Sequence, residues 1–186
     1  STAGTDRLQT YVLTKFEGTS VTATQASDSA DTVPIALGTL HKNTTTIDLS
    51  GTKGTQSASL ANATSAGTIT LSGDAAATVT GTAYGDTFTI GKTAAAAVHA
   101  ITGGDGTDIV NITSDGGAFN PSDIAAETLN ITVVAGKDVT LAGGEGFNGA
   151  STAITVDGGN SLSTFTGTAA ALVTGVKTFD AGTFGG

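Results

Sequence analysis

From Gly67 onward the chain repeats a short alternation in which two apolar residues stand at i and i+2 with a small polar residue between them. Ile69 and Leu71 follow it, as do Phe88 and Ile90, Val110 and Ile112, Leu129, Ile131 and Val133, Val139 and Leu141, and Ile154 and Val156. A period of two puts alternate side chains on opposite faces of an extended chain, so these segments read as strands with one buried face. The interposed residue is often Thr, which is β-branched and tolerates water. Gly, Asp or Asn bounds each pair and supplies the turns. Strand centres fall near residues 70, 79, 89, 101, 110, 131, 140, 155, 165 and 173. Every second centre is about 20 residues from the next, the rung length of a parallel β-solenoid with two short strands per turn.

The expected fold is therefore all-β, a parallel β-solenoid of β-helix or β-roll type. An antiparallel β-sandwich, which also places strands every 8–12 residues or so, is the alternative. Residues 1–66 are less regular and read as an N-terminal β-rich segment, with residues 67–186 as the repeat region. Within the first segment, Tyr11–Phe16, Val33–Leu40 and Thr45–Leu49 are candidate strands, and Ala23–Thr32 and Ser50–Ala66 read as loops. The N-terminal apolar residues Leu8, Tyr11, Leu13 and Phe16 lie outside the repeat, which suits an intersubunit strand that completes a neighbour's sheet. Helical signal is confined to Thr93–Ala100, with its four consecutive Ala, and to the single turn Pro121–Glu127.

Composition narrows the function. Thr, Ala and Gly make up half of the chain, and there is no Cys, Met or Trp. Absence of Cys excludes disulfide scaffolds and zinc–thiolate sites. Sixteen acidic against seven basic residues give a net charge of −9, which excludes the basic face that nucleic acid needs. No apolar run is long enough for a transmembrane segment. A surface of Thr, Ser and Gly with only 12% charged residues suits secreted, extracellular material.

One segment carries specific chemistry. Gly103-Gly104-Asp105-Gly106-Thr107-Asp108-Ile109-Val110-Asn111 fits the G-G-x-G-x-D-x-U-x nonapeptide, with Val110 as the large aliphatic. Its glycines permit turn conformations closed to other residues. Its carbonyls and the Asp108 carboxylate are hard oxygen donors suited to Ca²⁺. The alternative is a tight Gly-Asp turn without metal. Gly81-Thr82-Ala83-Tyr84-Gly85-Asp86-Thr87-Phe88 is a degenerate partner, whose Asp86 lies 22 residues before Asp108 and would stack on it. The candidate metal ligands are thus Asp86, Gly103, Asp105 and Asp108. Gly143–Asn148 resembles the same turn without its Asp. Gly144–Gly149 also satisfies G-x-G-x-x-G, but no helix follows to receive a pyrophosphate.

Thr80–Ala83, Asp86–Phe88, Gly103–Val110 and Glu127–Thr132 in succession resemble the repeat-in-toxin (RTX) type calcium-binding segments of bacterial surface-layer proteins. The resemblance covers about residues 68–142, and such proteins usually carry more tandem nonapeptides in longer chains. It implies a secreted, calcium-stabilised solenoid whose copies assemble on a cell surface, with Asp105 and Asp108 at the motif's acidic positions and Asp86 matching less well.

Enzymatic chemistry finds no foothold. His41 and His99 are the only histidines, and neither G-x-S-x-G nor H-E-x-x-H occurs. Asp105 and Asp108 lack the aromatic platform that a sugar substrate would need. Sequons occur at Asn43, Asn62, Asn111 and Asn130, the last two alternating with apolar neighbours as outward strand residues would. The expected function is a structural subunit of a self-assembling extracellular surface layer or filament. It would be a non-enzymatic homo-oligomer or polymer, with cell-surface polysaccharide as a further partner. The alternative is a secreted adhesin or carbohydrate-binding module.

Overall fold

A computed structural model describes residues 9–10, 17–25, 32–73, 75–93, 99–119, 124–134, 137, 139–141, 153–158, 165–167 and 178–180. The chain is a parallel β-solenoid, and the antiparallel sandwich is set aside because every strand pair among the described residues runs parallel. Two ladders are wound alternately. The first comprises β1 (Gln9–Thr10), β3 (Ile35–Thr39), β5 (Gln56–Ser59), β7 (Ala77–Thr80), β9 (His99–Thr102) and β12 (Ile124–Ala125), in that order. The second comprises β2 (Ser20–Thr24), β4 (Thr46–Gly51), β6 (Thr68–Leu71), β8 (Thr87–Thr93), β10 (Ile109–Ser114), β13 (Thr128–Val133), β15 (Ala153–Gly158) and β17 (Thr178–Asp180). From β10 onward a third ladder joins them, made of β11 (Gly117–Phe119), β14 (Val139–Leu141) and β16 (Phe165–Gly167).

The alternation seen in the sequence sets which side chains enter. Ile47, Ile69, Phe88, Val110 and Leu129 are in register and fully buried, and Leu49, Leu71, Ile90, Ile112 and Ile131 form a second inward column beside them. Thr46, Thr68, Thr87 and Thr128 share the register on the opposite face. Both columns and the facing ladder contribute to one buried cluster that runs from Ile35 to Val133. Pairing crosses Gly67 in both ladders, through β4 with β6 and through β5 with β7.

Several local expectations give way to this pairing. Residues 99–102 form β9 against β7, and residues 124–125 form β12 against β9, so the end of the Thr93–Ala100 stretch and the middle of the Pro121–Glu127 stretch are strand where helix is expected, while residues 94–98 and 121–123 lie outside the described residues. Backbone ladder bonds between rungs outweigh the small helical preference of Ala. Gln56–Ser59 is a strand, where composition suggests loop, because its inward positions are Gln56 and Ala58 and it lacks large apolar residues. Gln9–Thr10 pair with Ile35–Ala36 of the same chain. Leu8, Tyr11, Leu13 and Phe16 lie outside the described residues, as do the glycine turn at Gly143–Asn148 and the strand centre near residue 173.

Ile35, Gln56, Ala77 and His99 are also in register, so two polar side chains share one inward column with Ala77 between them. Gln56 is 2% exposed, and neither atom of its amide meets a hydrogen-bond partner in the protein. Burying an unpartnered amide costs about 1–3 kcal/mol. Gln56→Met keeps the volume and removes both polar atoms. It is expected to raise the midpoint of denaturant unfolding with an unchanged slope; a lower midpoint would show that the amide has a partner.

Candidate functional site

The chain passes from the first ladder to the second through a series of stacked corners, at residues 40–45, 60–67, 81–86, 103–108 and 126–127. Backbone bonds join each corner to the next: the N–H groups of Leu60, Gly81 and Gly103 donate to the carbonyls of Thr80, Thr102 and Ala125. Just before each second-ladder strand begins, one residue stands two places ahead of the inward apolar position. Gly67 precedes Ile69 in this way, Asp86 precedes Phe88, Asp108 precedes Val110, and Glu127 precedes Leu129.

These four residues form a column. The N–H of Gly67 donates to Asp86 Oδ1 at 2.5 Å, that of Asp86 to Asp108 Oδ1 at 2.8 Å, and that of Asp108 to Glu127 Oε2 at 2.7 Å. Each carboxylate thus binds the matched backbone group of the preceding rung, 19, 22 and 19 residues away. Their carbonyls serve the following rung, since Gly67, Asp86 and Asp108 accept from Thr87, Ile109 and Thr128. A buried N–H needs an acceptor, and bonds to a charged acceptor are the stronger kind.

The two aspartates differ. Asp86 is 1% exposed and saturated: Thr82 donates its N–H to Oδ2 at 2.5 Å and its hydroxyl to Oδ1 at 2.8 Å, besides the Gly67 bond. Asp108 is equally buried, yet its Oδ2 has no hydrogen-bond partner. The residue that stands to Asp108 as Thr82 stands to Asp86 is Gly104, which has no hydroxyl. Gly103 lets the carboxylate lie against the backbone, since a Cβ there would overlap it, as a Cβ at Gly81 would overlap Asp86. Gly104 and Gly106 have φ of 116° and 113°, the left-handed conformation expected of the nonapeptide.

The structure therefore brings Asp86, Gly103 and Asp108 together in one stacked corner, and Asp105 sits exposed on the turn between Gly104 and Gly106. Asp86 does not suit a metal ion, because N–H and O–H donors surround its oxygens. Asp108 Oδ2 is the carboxylate oxygen that a cation would take. No group of three or more acidic or histidine side chains gathers as a cage among the described residues. Glu127 and Thr82 belong to the site although the nonapeptide does not point to them. The signal for Glu127 was present, as an acid two residues ahead of an inward aliphatic.

Burial holds the Asp108 carboxyl above the usual carboxylate range; the Asp86 N–H opposes that, and the charges of Glu127, Asp86 and Asp105 add to it. A raised acid favours the fold when protonated. That contribution is complete below the unfolded value of about 3.9 and is lost as pH rises through the raised folded value. His99, 2% exposed in β9, is shifted the other way, its imidazole lowered by burial. Its contribution is present above about pH 6.5 and lost as pH falls. Asp108→Asn keeps an acceptor for the Asp86 N–H and removes the charge. In chelator it is expected to melt above the parent at neutral pH, with the gap closing on acidification. A gap independent of pH would refute the assignment.

Elsewhere, Asn130 Nδ2 donates to Asn111 Oδ1 at 2.9 Å on the outer face of the second ladder. Asn43 and Asn62 are exposed on corners. Among the described residues no helix is long and apolar enough to cross a membrane. Comparison with protein families, with characterised proteins and with solved structures gives no match to this chain.

Proposed function

We propose that this chain is a structural subunit of a secreted, self-assembling extracellular layer or filament, similar in kind to bacterial surface-layer proteins with RTX-type segments. The observation that carries the reading is the eight-stranded parallel ladder, in which each rung is bonded to its neighbours along the backbone and again through the corner carboxylates. Such a stack is stabilised locally, rung against rung, and forms an extended, repetitive scaffold. Its outward rows of Thr and Asn offer hydroxyl and amide groups suited to copies of itself and to cell-surface polysaccharide.

Calcium enters the proposal through Asp108, with Asp105 on the adjoining turn and Gly103 beneath the carboxylate. A cation there would neutralise an acid that burial and its neighbours disfavour. Calorimetric titration with Ca²⁺, together with melting in calcium and in chelator, tests this point. Binding that stabilises the parent and is lost in Asp108→Asn is expected. No heat and no shift in melting would remove calcium and leave the scaffold reading in place. Scaffold function itself is tested by light scattering and negative-stain imaging across protein concentration. Ordered polymer is expected, whereas a chain that stays monomeric while binding polysaccharide would favour the adhesin alternative.

A further inference from the structure

The corners that carry the carboxylates change character along the stack. At the first two, Thr39, Leu40, His41, Lys42 and Asn62 line an open groove of about 400 Å³. Leu40 is buried at its floor, and Lys42 and Asn62 are exposed on its walls. His41 accepts the Asn43 N–H through Nδ1 at 3.3 Å, which leaves Nε2 to donate. In a chain of net charge −9 this is a cationic, donor-rich spot. At the next two corners the surface is the reverse. Tyr84 is 46% exposed, the one large apolar side chain so exposed among the described residues, and Asp105 is exposed one rung further on. The turn beneath Tyr84 is held firmly: Thr82 Oγ1 accepts the Tyr84 N–H at 3.0 Å, and Gly106 packs so closely under the Tyr84–Gly85 peptide that a Cβ would collide with it.

We propose that this edge is a self-recognition surface on which two copies of the chain pair about a two-fold axis. Tyr84 and Asp105 of each copy seat in the groove formed by Leu40, His41, Lys42 and Asn62 of the other. Rungs are about 4.8 Å apart, so groove and protrusion are centred roughly 10 Å from each other on one edge. An axis passing between the rungs of Asn62 and Tyr84 superimposes each on the other. It sets Asp105 opposite His41 and Lys42 of the second copy, and Tyr84 opposite Asn62. A two-fold contact uses the same patch on both copies, so each charge pair occurs twice. An aromatic anchor beside a complementary charge is the composition of an interface centre. The inference rests on the self-assembly reading and names one of its contacts; a two-fold pair closes on itself, so growth into a layer or filament uses a second surface as well.

Sedimentation velocity across protein concentration, in calcium and in chelator, tests it. Tyr84→Ser, Asp105→Lys and Lys42→Asp should each weaken the pair at least tenfold. Because Tyr84 and Lys42 are exposed, melting of Tyr84→Ser and Lys42→Asp should stay within a few degrees of the parent, whereas Asp105→Lys, which adjoins the calcium position, is judged in chelator and by its rescue. Asp105→Lys combined with Lys42→Asp should restore pairing, since both reversed charges meet again. As the chain has no Cys, an oxidised mixture of Asn62→Cys and Tyr84→Cys chains should give a disulfide-linked pair, and a Thr78→Cys control on the outer face of β7 should not. Pairing or polymer growth unchanged in the three single variants, or no cross-link, would overturn this contact and leave self-assembly standing. A parent chain that never associates would overturn both.

Discussion

Replacing Asp86 by asparagine should destabilise the chain strongly, whereas the same change at Asp108 should not. Both aspartates occupy the same place on successive rungs and both are 1% exposed. At Asp86, however, donors reach both oxygens: Gly67 N–H and the Thr82 hydroxyl at Oδ1, and Thr82 N–H at Oδ2. An amide turned either way would face a backbone N–H with its own NH₂ group. Loss of one bond to a charged acceptor, together with a buried unpaired donor, costs about 2–4 kcal/mol. For a chain of this size that lowers the melting temperature by about 5–15 °C. Asp86→Ala, which strands every donor, should cost more. At Asp108 the NH₂ group replaces an oxygen that no donor reaches. Equal losses at the two positions, or none at Asp86, would mean that the column does not bind the rungs together.

The second large effect is expected at Phe88. It is the bulkiest fully buried side chain of the column that includes Ile69 and Val110, and its ring reaches beneath Gly81, where a Cβ would lie 3.0 Å from Cζ. Phe88→Ala should cost about 3–5 kcal/mol through lost burial and the cavity left behind. Phe88→Leu, which refills most of the space, should cost less than about 1.5 kcal/mol. Chemical denaturation checks both. Because neighbours in a solenoid interact mainly with neighbours, the loss should be greatest in the amide protection of β6, β8 and β10. A loss spread evenly along the described strands would instead indicate one cooperative unit.

The parts of the fold legible in the sequence are those where large apolar residues mark the inward face. The segments around Ile69, Phe88, Val110 and Leu129 announce their strands and their spacing of about 20 residues, which is the solenoid itself. Gln56–Ser59 does not, since a strand whose inward residues are Gln and Ala carries no hydrophobic periodicity. β11 and β12 are too short to show a period, and the start of β9 is masked by the Ala run. The candidate site was legible in the same uneven way. The nonapeptide and its stacking partner identify Asp108 and Asp86. What they cannot reveal is that the carboxylates bond backwards onto the preceding rung, because that depends on register between corners. Nor can composition tell that Thr82 satisfies both oxygens of one aspartate while Gly104 leaves one oxygen of the other without a donor.

The carboxylate column also has a direction in time. Each corner's N–H is received by a side chain 19 or 22 residues closer to the C-terminus. A chain emerging N-terminus first, from a ribosome or through a narrow channel, therefore leaves its newest corner unsealed until the next rung arrives. In such an emergence the stack would close rung by rung, with the newest rung as its provisional end. A chain halted after Gly103 would leave the Asp86 N–H without its acceptor, and the halted end would stay open to whatever carboxylate next came within reach.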